Sequence, residues 1–297
     1  MEALAETAVA VPSRAELQRW IEHGRVTVDG RSCKPADKVR PGSKLHVVPE
    51  PPPRTDAVAE DGIAFDVLYT DDDVVVLVKP AGLVVHPARG HEGGTLVNGL
   101  LALGLFKDGA WDGDEDAHLR PGIVHRLDKG TSGVMIVARN AHAREHLKAQ
   151  FSAHSIERAY EAICVGTVKA RTFDTLHGRH ATERLKFTTH VKTGKRAVTH
   201  VRPIEALLGA THVECRLETG RTHQIRVHLA EAGHAILGDP LYGRAPPGAR
   251  LKEVAARLGH QALHARVLGF VHPTSAKAMR FESPPPADFV MALAALR

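Results

Sequence analysis

From Ser13 the chain reads as the start of a helix. Ser13 and Glu16 have the spacing of a capping box, and Leu17, Trp20 and Ile21 follow at i, i+3 and i+4. The pattern stops at His23-Gly24. Val26 and Val28 then alternate with polar residues ahead of an Asp29-Gly30 turn, and a second extended run, Lys44 to Val48, follows Pro41-Gly42. Residues 13–48 should therefore form a helix and a small hairpin-like unit with little core of its own. Proline-rich Pro49 to Arg54 and the acidic stretch after it read as an extended linker over residues 49–62, leaving 63–297 as the main domain.

In that domain Val74 to Val78 is a β-branched run of the kind found in buried strands, closed by Lys79-Pro80 and Gly82, and Val134 to Ala138 looks similar. Between them and the next strand the period turns helical: Asn140 can cap, and Ala143, Leu147 and Phe151 recur every four residues. His212 to Thr219 alternates strictly, with Val213, Cys215 and Leu217 on one side and His212, Glu214, Arg216 and Glu218 on the other, which predicts one buried face. Helical spacing resumes at Ile225, Leu229 and Ala232, with Thr222 as the expected cap and Gly233 as the stop. Strands and helices in irregular order favour an α+β architecture over a doubly wound one.

Charge sharpens this picture through its distribution. Residues 13–48 hold eight Lys/Arg against four Asp/Glu and residues 171–202 hold eight against two, whereas residues 49–73 hold one against eight. Basic blocks separated by an acidic stretch suggest a polyanion-binding face, although solvated surface produces the same counts. Cys33, Cys164 and Cys215 are far apart and form no C-x-x-C unit, which argues against a disulfide framework or a zinc ribbon. No apolar run is long enough to span a bilayer, and Glu2 and Glu6 stand where a secretory signal needs a basic start, so a cytoplasmic protein is expected.

The segment richest in chemistry is Arg120-Pro-Gly-Ile-Val-His-Arg-Leu-Asp-Lys-Gly-Thr-Ser-Gly133. Asp128 lies beside glycines 130 and 133 with Arg126 and Lys129 as neighbours, a setting that keeps a carboxylate ionised and available. An aspartate in a glycine-rich turn also commonly serves only to hydrogen-bond its own backbone.

The run His125-Arg126-Leu127-Asp128 resembles the signature of the RluA/RluD-type pseudouridine synthases, in which that aspartate is the essential catalytic residue. Further stretches match in the same order: Val78 to Pro87, Glu157 to Ala162 with the family's active-site tyrosine at Tyr160, and Gly194 to Thr199. Leu217 to His228, Gly238 to Gly243, Leu263 to Ala265 and His272-Pro273 complete the set, so the resemblance covers nearly all of residues 63–290. It implies a mixed, mainly antiparallel sheet and an RNA-isomerising enzyme that needs no metal or cofactor. Residues 13–48 resemble the small RNA-binding domain that RluD-like members share with a ribosomal small-subunit protein. That module departs from the pattern at its start, where Met1 to Pro12 lacks the usual Arg-Leu-Asp-containing helix, which suggests a truncated domain or a start site placed too late.

The resemblance implies Asp128, Tyr160 and Arg221 as the catalytic set, with Arg221 the basic partner of the aspartate. Arg126 would fill the gap left by an extruded base, and His125, Lys129, Arg25, Lys34 and Arg40 are further candidate RNA contacts. The expected substrate is large-subunit ribosomal RNA, and the expected protein is a monomer without membrane attachment. Transfer RNA is an alternative substrate, and a non-catalytic RNA-binding protein on the same fold is an alternative function; the latter would have no use for Asp128, Tyr160 and Arg221 together. His177-x-x-His180 and His260-x-x-x-His264 have tolerable metal-ligand spacing, and a metal-dependent hydrolase would use them, but no acidic or cysteine partner accompanies either pair in a recognised pattern.

Overall fold

The computed structural model describes residues 14–48, 57–87, 93–106 and 120–297. The expected cap at Ser13, everything before it and the proline-rich run 49–56 lie outside those residues. The chain divides into two compact units, residues 1–55 and 56–297, a boundary inside the stretch read as a linker.

In the first unit, helix α1 (Arg14–Glu22) precedes strands β1 (Val26–Val28), β2 (Arg31–Ser32) and β3 (Leu45–Val47), arranged β2-β1-β3 and antiparallel. The β1–β2 turn is tight because Asp29 and Gly30 both take positive φ, 51° and 77°, which matches the twist of the flanking strands. Asp29 also accepts a bond from the Lys44 amide at 2.8 Å, tying the turn to the third strand. Trp20 and Val26 are the buried apolar residues of this unit among those described.

The larger unit runs β4 (Asp66–Thr70), β5 (Val74–Lys79), α2 (Leu96–Ala102), β6 (Ser132–Ala138), α3 (Ala141–Ser152), β7 (Glu157–Val165) and β8 (Arg171–Arg179). It continues with β9 (Phe187–Thr188), β10 (Lys195–Leu207), β11 (Ala210–Leu217), α4 (Gln224–Glu231), α5 (Ala249–Leu258), β12 (Leu263–Val271), β13 (Ala278–Glu282) and α6 (Ala287–Leu296). One sheet results, in the order β4-β5-β6-β12-β7-β11-β10-β8-β9, with β13 also paired to β12. Every pairing is antiparallel except β6 with β12. The sheet is thus mixed and mainly antiparallel, in an α+β arrangement.

The valine runs form central strands because both their faces are covered. Val74, Val76, Val134 and Ile136 pack with Ala143 and Leu147 of α3, while Val75, Leu77, Met135 and Val137 pack with Leu96 and Leu100 of α2. Asn140 caps α3 as its position suggested, accepting from the Ala143 amide at 2.9 Å. β11 departs from the expected half-exposed strand: His212 and Glu214, on its polar side, are buried. Cross-strand charges make that burial tolerable, with His212 Nε2 3.0 Å from Glu161, and Arg266 reaching both Glu161 and Glu214.

The parallel β6–β12 pairing requires Gly133. Its φ is 122°, and a Cβ there would stand 2.2 Å from the carbonyl oxygen of Ala265. Next to it the Ser132 hydroxyl donates to His264 Nδ1 at 2.9 Å, and His264 Nε2 donates to the Ser283 carbonyl. The strand that follows the Asp128 loop is therefore clamped at its first residues.

Candidate active site

Asp128 sits on the connection that enters β6, where its own carbonyl accepts from the Thr131 amide at 3.0 Å. The connection is held from below by Lys79, whose side chain is fully buried at the end of β5. Its ammonium donates to the carbonyls of Pro80, Leu83 and Lys129 at 2.8, 2.8 and 3.2 Å, joining the 80–83 turn to the Asp128 turn. Burial pushes Lys79 down to about 7, and Asp128 pulls in the opposite direction. Thr131 is held in turn by Gln261, which donates to its hydroxyl at 3.0 Å.

The Asp128 carboxylate pairs with Arg226, whose Nη1 donates to Oδ2 at 2.8 Å. Arg226 projects from the first turn of α4 and is itself locked in plane by Asp239, through Nε at 2.7 Å and Nη2 at 2.9 Å. Asp239 is buried and also accepts from the amides of Leu241 and Tyr242. Burial works against the charge on Arg226, but the two carboxylates outweigh it and raise its affinity for the proton. Burial likewise opposes ionisation of Asp239, and the Arg226 bonds hold it ionised.

This geometry corrects the expected pairing. Arg221 does not bond the aspartate: its Nε donates to the Arg196 carbonyl at 3.0 Å and its amide to Gln224 Oε1. Gln224, capping this turn from inside, also accepts from the Thr219 hydroxyl, and the helix begins one residue later than expected, with His223 rather than Thr222 at the cap and φ of 59°. Arg221 thus faces β10, and Arg226, in the first turn of α4, reaches Asp128.

Asp128, Tyr160, Arg221 and Arg126 nevertheless line a common cleft, which opens into a cavity of about 420 Å³ shared with His125, Phe151, Arg158 and His223. Tyr160 comes from the middle of the sheet, opposite Cys215 on one side and Ala265 on the other. Burial raises its phenol, so the hydroxyl stays protonated at neutral pH. Arg126 is exposed at the rim, and Lys129 is exposed beside it. His125 is not a cationic RNA contact. Its Nε2 accepts from the Ile136 amide at 3.0 Å, its ring stacks on Phe151, and burial together with Arg158 holds it down to about 3. In the N-terminal unit Lys34 and Arg40 are exposed and Arg25 is half-buried.

His223, inside the same motif, passed unremarked in the sequence. The Tyr242 hydroxyl accepts from the Phe187 amide at 2.9 Å and lies 2.9 Å from His223 Nδ1. Nε2 stands 3.8 Å from Asp128 Oδ1, and burial lowers the ring so that it is neutral. The cleft thus sets the Asp128 carboxylate beside a neutral imidazole. The histidines with metal-like spacing are engaged otherwise: His177 donates to the Thr222 carbonyl, His180 Nδ1 accepts from the Glu183 amide, His260 meets Asp288, and His264 is the clamp described above. Among the described residues no group of three or more His, Cys, Asp or Glu side chains is arranged to hold a metal.

The family profile described as RNA pseudouridylate synthase matches residues 73–231, which span the Asp128 loop, Tyr160 and Arg226. The chain belongs to that family. Its members' reaction makes it an RNA-modifying isomerase converting uridine to pseudouridine. The S4 domain profile matches residues 7–45. A ribosomal large subunit pseudouridine synthase D from Pseudomonas aeruginosa is 44% identical over 292 residues, covering 96% of this chain and 88% of that protein. A protein of the same name from Xanthomonas campestris is 46% identical over 291 residues, covering 96% and 85%. Among solved structures, human RNA pseudouridylate synthase domain containing 1 superposes with a TM-score of 0.58 at 25% identity, covering 76% of this pseudouridine synthase chain and 86% of its own.

Proposed function

We propose that this enzyme isomerises uridines of large-subunit ribosomal RNA, with Asp128 as the catalytic carboxylate. The observation that carries the reading is the Asp128–Arg226–Asp239 array at the mouth of a cleft also lined by Tyr160. Isomerisation breaks the bond from uracil N1 to the sugar C1′, turns the base and joins C1′ to C5. One proton leaves C5 and one arrives at N1. The base must first leave its stack and enter a pocket, and Arg126 on the rim is placed to fill the space it vacates. Arg226 holds the Asp128 carboxylate in place through its 2.8 Å bond. Tyr160 supplies a flat apolar face for the uracil and a protonated hydroxyl near its edge. His223 Nε2, 3.8 Å from the carboxylate, is placed to meet the bound nucleotide beside it. Arg25, Lys34 and Arg40 supply phosphate contacts from the N-terminal unit.

The choice of substrate rests on the relatives named above, which bear the large-subunit name over nearly the whole length of this chain. On this reading the enzyme acts as a monomer in the cytoplasm, where a ribosomal RNA substrate is found. The test uses large-subunit RNA labelled with tritium at uracil C5: the wild-type protein should release label to water, and Asp128→Asn should not while still binding the RNA. Mapping pseudouridines in cells with and without the gene identifies the positions. Unchanged large-subunit maps alongside a lost transfer RNA site would overturn the substrate assignment.

A further inference from the structure

We propose that the cavity beside Asp128 contains a phosphodiester-binding subsite whose buried ligand is Arg158. The proposal rests on the RNA reading above and adds a residue and a ligand group to it.

Arg158 begins near the start of β7, two residues before Tyr160, and is 7% exposed. Its Nη2 donates to the Glu218 carbonyl at 2.6 Å, while its Nε is buried and has no partner. No carboxylate pairs with it among the described residues. Its neighbours are the phenol of Tyr160, the ring of Phe151 with the guanidinium carbon 5.6 Å from the centroid, and a second cation, Arg221. Burial disfavours its charge, Tyr160 offsets part of that, and Arg221 adds to the cost. A guanidinium does not lose its proton in a protein, so the charge stays and the cost of burying it without a counter-ion is carried by the fold.

The other charges around the cavity leave this one over. Asp128 and Asp239 are both satisfied by Arg226. His125 is neutral and cannot help. Arg126, Arg158 and Arg221 therefore face one cavity of about 420 Å³ in which Asp128, the one acidic residue among the described lining, already has a partner. An anion entering there would meet the Arg158 guanidinium, whose charge no carboxylate among the described residues offsets, with further cations beside it. A phosphodiester fits, because its two non-bridging oxygens match the fork of a guanidinium, and an RNA substrate necessarily brings one next to the nucleotide whose base lies on Tyr160.

Two measurements test this. Thermal unfolding of the wild-type protein, of R158M and of R250M, an exposed arginine on α5, is compared in inorganic phosphate and in chloride of equal ionic strength. Phosphate should raise the midpoint of wild type and R250M by about 3 °C more than that of R158M. In chloride R158M should melt no lower than wild type, since the substitution removes an unpaired buried charge. Second, a synthetic RNA hairpin isomerised by the wild type is made with a single neutral methylphosphonate at each phosphate flanking the target. One position should cost the wild type about tenfold in affinity and R158M less than twofold. Equal methylphosphonate penalties in the two proteins would overturn the proposal even if free phosphate still protected, because the site would then be an anion site unrelated to RNA. Lower stability of R158M with unaltered RNA affinity would overturn it as well, by making Arg158 a structural residue. Tritium release by the wild type on the same hairpin reports the isomerase reading separately.

Discussion

Arg226 and Arg158 are two arginines buried to similar depth around one cleft, 5% and 7% exposed, and their surroundings are opposite. Arg226 has every edge of its guanidinium committed to carboxylates, bidentate to Asp239 and single to Asp128. Arg158 has a carbonyl, a phenol, a phenyl ring and another arginine. A buried cation with its counter-ions supplied by the fold orients its neighbours; one without them is waiting for charge from outside. On the reading proposed above, the first arrangement serves to position the catalytic carboxylate and the second to bind substrate.

The largest effect that tests the first half is loss of the carboxylate. Asp128→Asn should lower turnover by more than about a thousandfold with RNA affinity nearly intact, read by tritium release and by filter binding. Arg226→Met should follow, since it leaves two carboxylates without their cation: a loss of about 3–5 kcal/mol in denaturant unfolding is expected, together with most of the activity. Adding Asp239→Leu should return part of that stability but not the activity, because Asp128 stays unpositioned. If Arg226→Met unfolded no more readily than wild type, the contrast between the two arginines would dissolve.

A smaller effect separates paired charge from buried neutral groups. His228 is held between the hydroxyls of Thr175 and Thr199 and stacked on Phe173, and burial with His177 lowers it to about 4. The unfolded chain then binds the extra proton first, so stability is whole above about pH 6.5 and falls as the pH drops toward 4, by up to roughly 1.4 kcal/mol per unit. The slope measured by urea unfolding should be shallower in His228→Asn. Smallest of all are the exposed cations: Lys34→Ala and Arg40→Ala should each weaken RNA binding a few-fold and reduce the slope of log affinity against log salt by about one. Unchanged salt slopes would remove those two residues from the RNA interface.

Much of this site was legible along the chain, for reasons particular residues show. Asp128 and Tyr160 stand in short local motifs that resemblance can place. The valine runs of β5 and β6 announce buried strands because a strand covered on both faces needs no alternation. The Asn140 cap and the Asp29-Gly30 turn are local backbone preferences. Arg226 lies in the same motif as Arg221, and the resemblance placed the partner of the aspartate at Arg221; which of the two meets Asp128 depends on how the segment folds against β6 and Asp239. β11 misled for a related cause: alternation records polarity, and the charges of Glu161 and Arg266 that bury its polar side come from other strands.

The order of residues alone thus decided which segments become strands and helices, and which family of chemistry they serve, since those depend on neighbours a few positions apart. Which arginine meets Asp128, which histidine is neutral and which buried cation lacks a counter-ion were decided only by folding. Charge pairing acts over a few ångströms in space, and the partners here lie up to about a hundred residues apart in the chain.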